Sequence, residues 1–262
     1  MAFLGDYHTH TIFSKRKGTL GKHATGTLED NVRQASELGL KEIAITDHGF
    51  GHKLYCTYRN KIALMHSQVQ ELEKKYNIRI LIGVEANIIS SKGDVDINQE
   101  DYSTLDIVVC SYHPMARATS IKEFFKWSFA NMFAKIFGYS KKLIERNTQA
   151  YINAINNYDI DIISHPNVGA KIDIIKVGQA AVKRGTMLEL NGKRLNYTQQ
   201  EIDELVKMGV MFIAGSDAHG IDRIADFNKP RNAIKTFNIP PQNVANLDKL
   251  PKFKRYNRKE EI

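Results

Sequence analysis

Residues 78–85 read IRILIGVE and residues 42–48 read EIAITDH. Each is a short run rich in β-branched residues, and each closes on a side chain of a kind that binds metals: Glu85 in the first, His48 in the second. Runs of about four to eight such residues, apolar throughout instead of alternating, are the pattern of strands buried on both faces. The same figure repeats outward along the chain. His8 and His10 follow the opening run, His113 follows DIVVCSY, His165 ends DIDIISH, and Asp217 and His219 lie just beyond VMFIAG. Strand-like runs fall near 2–8, 41–46, 78–84, 105–111, 159–164, 186–190 and 210–215.

Helix signals lie between most of these runs. Thr27 stands three residues before Asp30 and opens 27–38, which ends before Gly39; 58–76 is a longer amphipathic stretch. Asp173 can cap 174–184, closed by Gly185, and Thr198 with Glu201 forms a capping box for 199–208, closed by Gly209. Strand and helix in alternation predict an α/β fold with a mostly parallel sheet covered by helices. Seven strands suit a closed or nearly closed TIM-like barrel. An open doubly wound sheet is the alternative, but neither GxGxxG nor GxxxxGK[ST] occurs. A single domain over 1–240 is expected, followed by a basic tail over 241–262 that includes KFKRYNRK at 252–259.

Composition narrows the setting. With 262 residues the chain can bury a large core, and its two cysteines, Cys56 and Cys110, cannot build a disulfide framework. No run is long enough to span a membrane, so a cytoplasmic protein without a membrane partner is expected. The formal charge of +8 favours anionic ligands: a small phosphorylated metabolite first, nucleic acid second. The irregular zone is 114–150, a helical insertion in which Ile121, Phe124, Phe125, Trp127, Phe129, Met132, Phe133, Ile136 and Phe137 form an apolar stripe flanked by Lys122, Lys126 and Lys135. Its ordinary reading is a helix packed on the barrel or against another subunit in an oligomer; a lid or membrane-facing helix is the other.

Carboxyl ends of neighbouring parallel strands converge in space. His8 and His10, two apart in a strand, point to the same side, and Asp217 and His219 repeat that spacing. With His48, Glu85, His113 and His165, ligand-type residues stand at six strand ends. This many donors suits two or three divalent ions, Zn, Mn or Fe, which together favour hydrolysis of a phosphate ester. His23, in a loop, reads from the residues alone as a surface histidine, as does His66 in mid-helix. His52 could meet substrate. Asp6 and Asp47 could orient imidazoles. Arg117, Lys193 and Arg194 could hold a phosphate or an anionic leaving group, and Asn191 could line the pocket.

The set DYHTH, GKHATGTL, ITDHG, GVEAN, SYHP, ISHP and GSDAH resembles the PHP (polymerase and histidinol phosphatase) family, in family order from about residue 5 to 240, and most of all its stand-alone bacterial phosphoesterases. The resemblance implies a distorted (β/α)7 barrel with a trinuclear site. By that match one metal takes His8, His10, Glu85 and Asp217; a second shares Glu85 and takes His113 and His165; a third takes His23, His48 and His219. It implies attack of a metal-bridging hydroxide on phosphorus beside Glu85, with Asp217 orienting the nucleophile. A histidinol-phosphate-like monoester is the expected substrate. A 3′–5′ exonuclease acting on nucleic-acid ends and a non-catalytic metal-binding module are the alternatives.

Overall fold

Each of the seven runs becomes a strand in the computed structural model, which describes residues 1–14 and 23–255. They are β1 (Gly5–Asp6), β2 (Glu42–His48), β3 (Arg79–Asn87), β4 (Ile107–Ser111), β5 (Ile162–Ile163), β6 (Met187–Asn191) and β7 (Phe212–Gly215). All pair in parallel, each with its neighbour in the chain. The ends of the sheet meet at the top, where Thr9 bridges Ala218 in parallel and the His10 amide donates to Ala218 O at 2.9 Å. Lower down, the Asn246 side chain stands in for a strand. Its Nδ2 donates to Gly5 O and Ala214 O, both at 2.9 Å, and its Oδ1 accepts from Ala214 N at 3.0 Å. The result is a nearly closed (β/α)7 barrel.

The helices form where their caps predict. Helix α1 (Leu28–Glu37) has a full capping box between Thr27 and Asp30, and α7 (Gln199–Lys207) has one between Thr198 and Glu201. Asp173 caps α6 (Ile174–Arg184), which ends on Gly185 in the left-handed region; α2 covers Arg59–Tyr76. The insertion is helical in three consecutive pieces: α3 (Ile121–Glu123), a π-helical turn (Phe124–Phe129) and α4 (Ala130–Phe137). After it comes α5 (Lys141–Asn157), capped by Ser140 and running past the expected limit of the zone at 150. One helix, α8 (Asn228–Thr236), escaped the sequence reading: Phe227 at its N-cap offers no capping side chain, and Pro230 masks the pattern.

Side-chain alternation sorts the strands into an outer layer under the helices and a barrel interior. The floor of the interior is apolar, made of Tyr7, Ala44, Leu81, Ile107, Val109, Ile162, Met187 and Ile213. Residues two or four further along the same strands, on the same side of the pleat, include His48, Glu85, Ser111, Glu189 and Asn191. One column of inward positions therefore runs from grease at the bottom to ligand chemistry at the top.

Phe253 seals the floor against Tyr7, with ring centroids 4.9 Å apart. It is held there by buried Asp161, whose carboxylate accepts from Lys254 N at 2.9 Å, Arg255 Nη2 at 2.7 Å and Val108 N at 2.9 Å. Burial raises the Asp161 pKa, against the pull of Arg255. Thus the basic stretch is docked as far as Arg255; residues 256–262 lie outside the described residues. Asp161→Ala strands these donors and is expected to destabilise the protein by about 3 kcal/mol. A urea midpoint equal to that of the wild type would show that Asp161 does not anchor this stretch.

Candidate metal centre

The barrel mouth gathers ligand-type side chains from six of the seven strand ends. Glu85, at the top of β3, is the hub. Its Oε1 lies 2.8 Å from His165 Nε2 and 3.4 Å from His8 Nε2. Its Oε2 lies 3.0 Å from His48 Nδ1, 3.7 Å from His113 Nε2 and 3.8 Å from His10 Nε2. Ser111 and Ser164 hold Oε1, each donating at 3.0 Å. Asp217 is a second hub, with Oδ1 at 3.6 Å from His10 Nε2, 4.0 Å from His8 Nε2 and 3.3 Å from His219 Nδ1. His23 is brought in as well: its Nε2 sits 2.8 Å from His48 Nε2 and 3.0 Å from His219 Nε2.

Ligand atoms come within 4.8 Å of one another in four overlapping sets: His8–His10–Asp217, His8–Glu85–His165, His48–Glu85–His113 and His10–His48–His219. Only the first falls within one metal of the partition implied by resemblance: His8 joins His165 at Glu85, His48 faces both Glu85 and the His23 corner, and His10 joins His48 and His219. His165 and Asp217 hold left-handed backbone conformations, φ 27° and 54°. Such geometry costs about 1–3 kcal/mol per residue and persists where surrounding contacts fix it. Here the His165 amide donates to Glu189 Oε2 at 2.8 Å.

Electrostatics prepare the mouth for cations. Burial opposes ionisation of Glu85 and Asp217, yet the surrounding imidazoles hold both well below the usual carboxylate range. Burial and neighbouring histidines push His10 and His113 well below 6.5, His23 to about 3 and His52 to about 4. Burial also works against charge on His8 and His165, but the carboxylates Glu85, Glu189 and Asp217 raise both. Ionised carboxylates thus face both raised imidazoles, His8 and His165, and depressed ones, His10 and His113. His8 Nε2 and His10 Nε2 are buried without a hydrogen-bond partner, and three imidazole nitrogens converge at the His23 corner. Converging lone pairs of this kind fit divalent cations.

The remaining expectations divide. His52, Lys193 and Arg194 line the cleft with Lys135 of α4 and Tyr55. Lys193 Nζ donates to Asp217 Oδ1 at 3.2 Å and sits 2.6 Å from His219 Nδ1. Asn191 does not line the pocket: it is buried beneath it, with Nδ2 donating to Glu189 Oε2 at 2.9 Å and Oδ1 accepting the Lys193 and Arg194 amides at 2.8 Å. Arg117 is exposed and is not among the cleft-lining residues; its amide donates to Gly51 O at 2.8 Å. Asp6 binds backbone amides of Ser216 and Ala225, not an imidazole. Asp47 reaches His10 only through Ser14, whose Oγ is 2.6 Å from Asp47 Oδ1 and 3.3 Å from His10 Nδ1.

Sequence reading missed Lys135, Tyr112 and Val168 in the cleft wall, and two residues that act on the ligands directly. Tyr55 stacks on His23 at 3.7 Å between centroids. Glu189 takes the orienting role expected of Asp6: its Oε1 meets His8 Nδ1 at 2.7 Å. Gly215 makes room for this pair, since a Cβ there would collide with Glu189 Oε1 and press on the His8 side chain. The signal for Glu189 was its parity with Met187 and Asn191 in MLELN. A carboxylate behind a ligating histidine fixes its tautomer, and its loss typically costs about 10–100-fold in metal affinity or activity. Glu189→Gln is expected to fall in that range. Metal titration giving wild-type affinity would remove the orienting role.

Curated relatives span nearly the whole chain. It is 32% identical to a probable phosphatase of Caldanaerobacter subterraneus subsp. tengcongensis, covering 97% of this chain and 92% of that one. It is 29% identical to a probable phosphatase of Clostridium acetobutylicum, covering 95% and 92%. Among solved structures, histidinol phosphate phosphatase from Lactococcus lactis, complexed with zinc, L-histidinol and phosphate, superposes with TM-score 0.58 at 17% identity over 91% of this chain and 95% of that one, a likeness of fold. Barrel, side-chain set and relatives together make the protein a metal-dependent phosphoesterase. The chain belongs to the PHP domain family, whose model matches residues 6–208.

Proposed function

We propose that the protein hydrolyses a small phosphomonoester of histidinol-phosphate type at a site holding two or three divalent cations. The observation that carries this reading is the convergence of five imidazoles on Glu85 beneath a rim of Lys135, Lys193 and Arg194. His8, His10, His23, His48, Glu85, His113, His165, Asp217 and His219 would hold the ions. When bound there, the cations polarise a phosphoryl oxygen and acidify water. The chain's own residues do the rest. Glu85 and Asp217 supply fixed negative charge, and Asp217 accepts a hydrogen bond from the attacking water and so orients it. Lys193, Arg194 and Lys135 receive the phosphate dianion as it enters. The cleft, about 470 Å³, suits a metabolite of modest size. Walls of Tyr55, Tyr112 and Val168 give its leaving group an apolar surface.

The test is phosphate release by Mn- or Zn-loaded protein from a panel of small phosphomonoesters including histidinol phosphate, with a chelated control. Release from a few members, lost on chelation, supports the reading. Cleavage of diesters or 3′ nucleic-acid ends, with every monoester intact, would replace it with the exonuclease reading.

A further inference from the structure

The helical insertion turns its aromatic stripe to solvent instead of packing it on the barrel. Phe125, Phe129, Phe133 and Phe137 follow at intervals of four, with successive ring centroids 5.6, 6.3 and 4.3 Å apart. Ile121, Ile136 and Phe137 are 80, 78 and 70% exposed. The opposite face is what holds the segment down. Buried Trp127 donates to Ile88 O at 2.8 Å and packs edge-on to Tyr112, while Asn131 pairs with Asn147 of α5. A continuous exposed apolar face on a protein of ordinary composition marks an interaction surface.

The charges around the face indicate what covers it. From residue 121 to 137 every exposed position is apolar or lysine: Lys122, Lys126 and Lys135, followed by exposed Lys141 and Lys142. No exposed amide or hydroxyl is there to specify a protein partner. The single acid, Glu123, is turned inward and accepts from Ser91 N and Oγ at 2.8 and 2.7 Å. A second copy laid on this face would set lysines against lysines. Aromatic side chains along a helix with lysines and no exposed acid is the composition of helices that lie in the interface of anionic bilayers. We propose that this face docks the protein on an anionic lipid bilayer, with the phenylalanines entering the headgroup boundary and the lysines meeting the headgroups. Lys135 belongs both to this helix and to the cleft lining, so docking would set the barrel mouth beside the lipid surface.

The test is flotation of the full chain with phosphatidylcholine vesicles and with vesicles carrying about one third phosphatidylglycerol. Recovery with the anionic vesicles alone is expected, weakened at high salt. Phe129→Ser with Phe133→Ser should abolish it. Lys122→Glu with Lys126→Glu should weaken partitioning by about tenfold or more. Both pairs are exposed, so circular dichroism should match wild type. Three results would each overturn the proposal: no flotation with either vesicle, equal flotation with both, or a solution dimer in light scattering that the Phe129/Phe133 pair dissolves while vesicles are ignored. None of these bears on phosphate release, so the docking and catalytic readings fail separately.

Discussion

Glu85→Gln is expected to lower phosphomonoester turnover by about 10³-fold and to leave purified protein with reduced metal content. The substitution conserves shape and removes one negative charge from the centre of five imidazoles that stand 2.8–3.8 Å from the carboxylate. An amide nitrogen cannot accept a hydrogen bond or bind a cation, so whichever oxygen it replaces, one side of the hub turns from acceptor to donor. On the Oε1 side it would meet Ser111 and Ser164, which already donate there. On the Oε2 side it would face His48, His113 and His10. No rotamer of glutamine serves both. Steady-state kinetics with elemental analysis of the same preparation checks this. Wild-type turnover with wild-type metal content would show that Glu85 is not the hub of a metal site.

The barrel was legible because its signals are local. A β-branched run, a cap and a closing glycine are each set by neighbouring residues, and Thr27, Asp173 and Thr198 cap the helices they predict. What was not legible depends on contacts distant in sequence. Glu189 meets His8 across 181 residues of chain, and nothing beside it in MLELN marks it as different from a buried ion pair elsewhere. Asn246 closes the barrel from beyond the expected domain limit because the gap between β1 and β7 exists only once the sheet has curled. The aromatic stripe was visible but its direction was not. Helical spacing says that Phe125, Phe129 and Phe133 share a face, and only Trp127 and Asn131, placed against Ile88 just beyond β3 and against α5, decide that the face looks outward.

Stripping the metals is expected to lower the melting temperature by about 8–16 °C. An ion present at about a thousand times its dissociation constant stabilises the folded state by about 4 kcal/mol, and each kcal/mol moves a chain of this size by about 2–4 °C. The difference should grow with pH above 6.5, for two reasons. In the metal-free protein His8 and His165 have raised pKa values. The stability they contribute is complete below 6.5 and is lost as pH rises through their folded values. The depressed histidines His10, His23, His52 and His113 act oppositely, but their contribution is complete above 6.5 and falls away only as pH drops below it. Metal-loaded protein, by contrast, gains affinity as its imidazoles lose their protons. Scanning calorimetry of chelated and reloaded protein at pH 6.5 and pH 8 measures both effects. Equal melting temperatures with and without metal would mean that the nine side chains hold no structural cation. A gap that narrows toward pH 8 would mean that His8 and His165 are not the protons the metals displace.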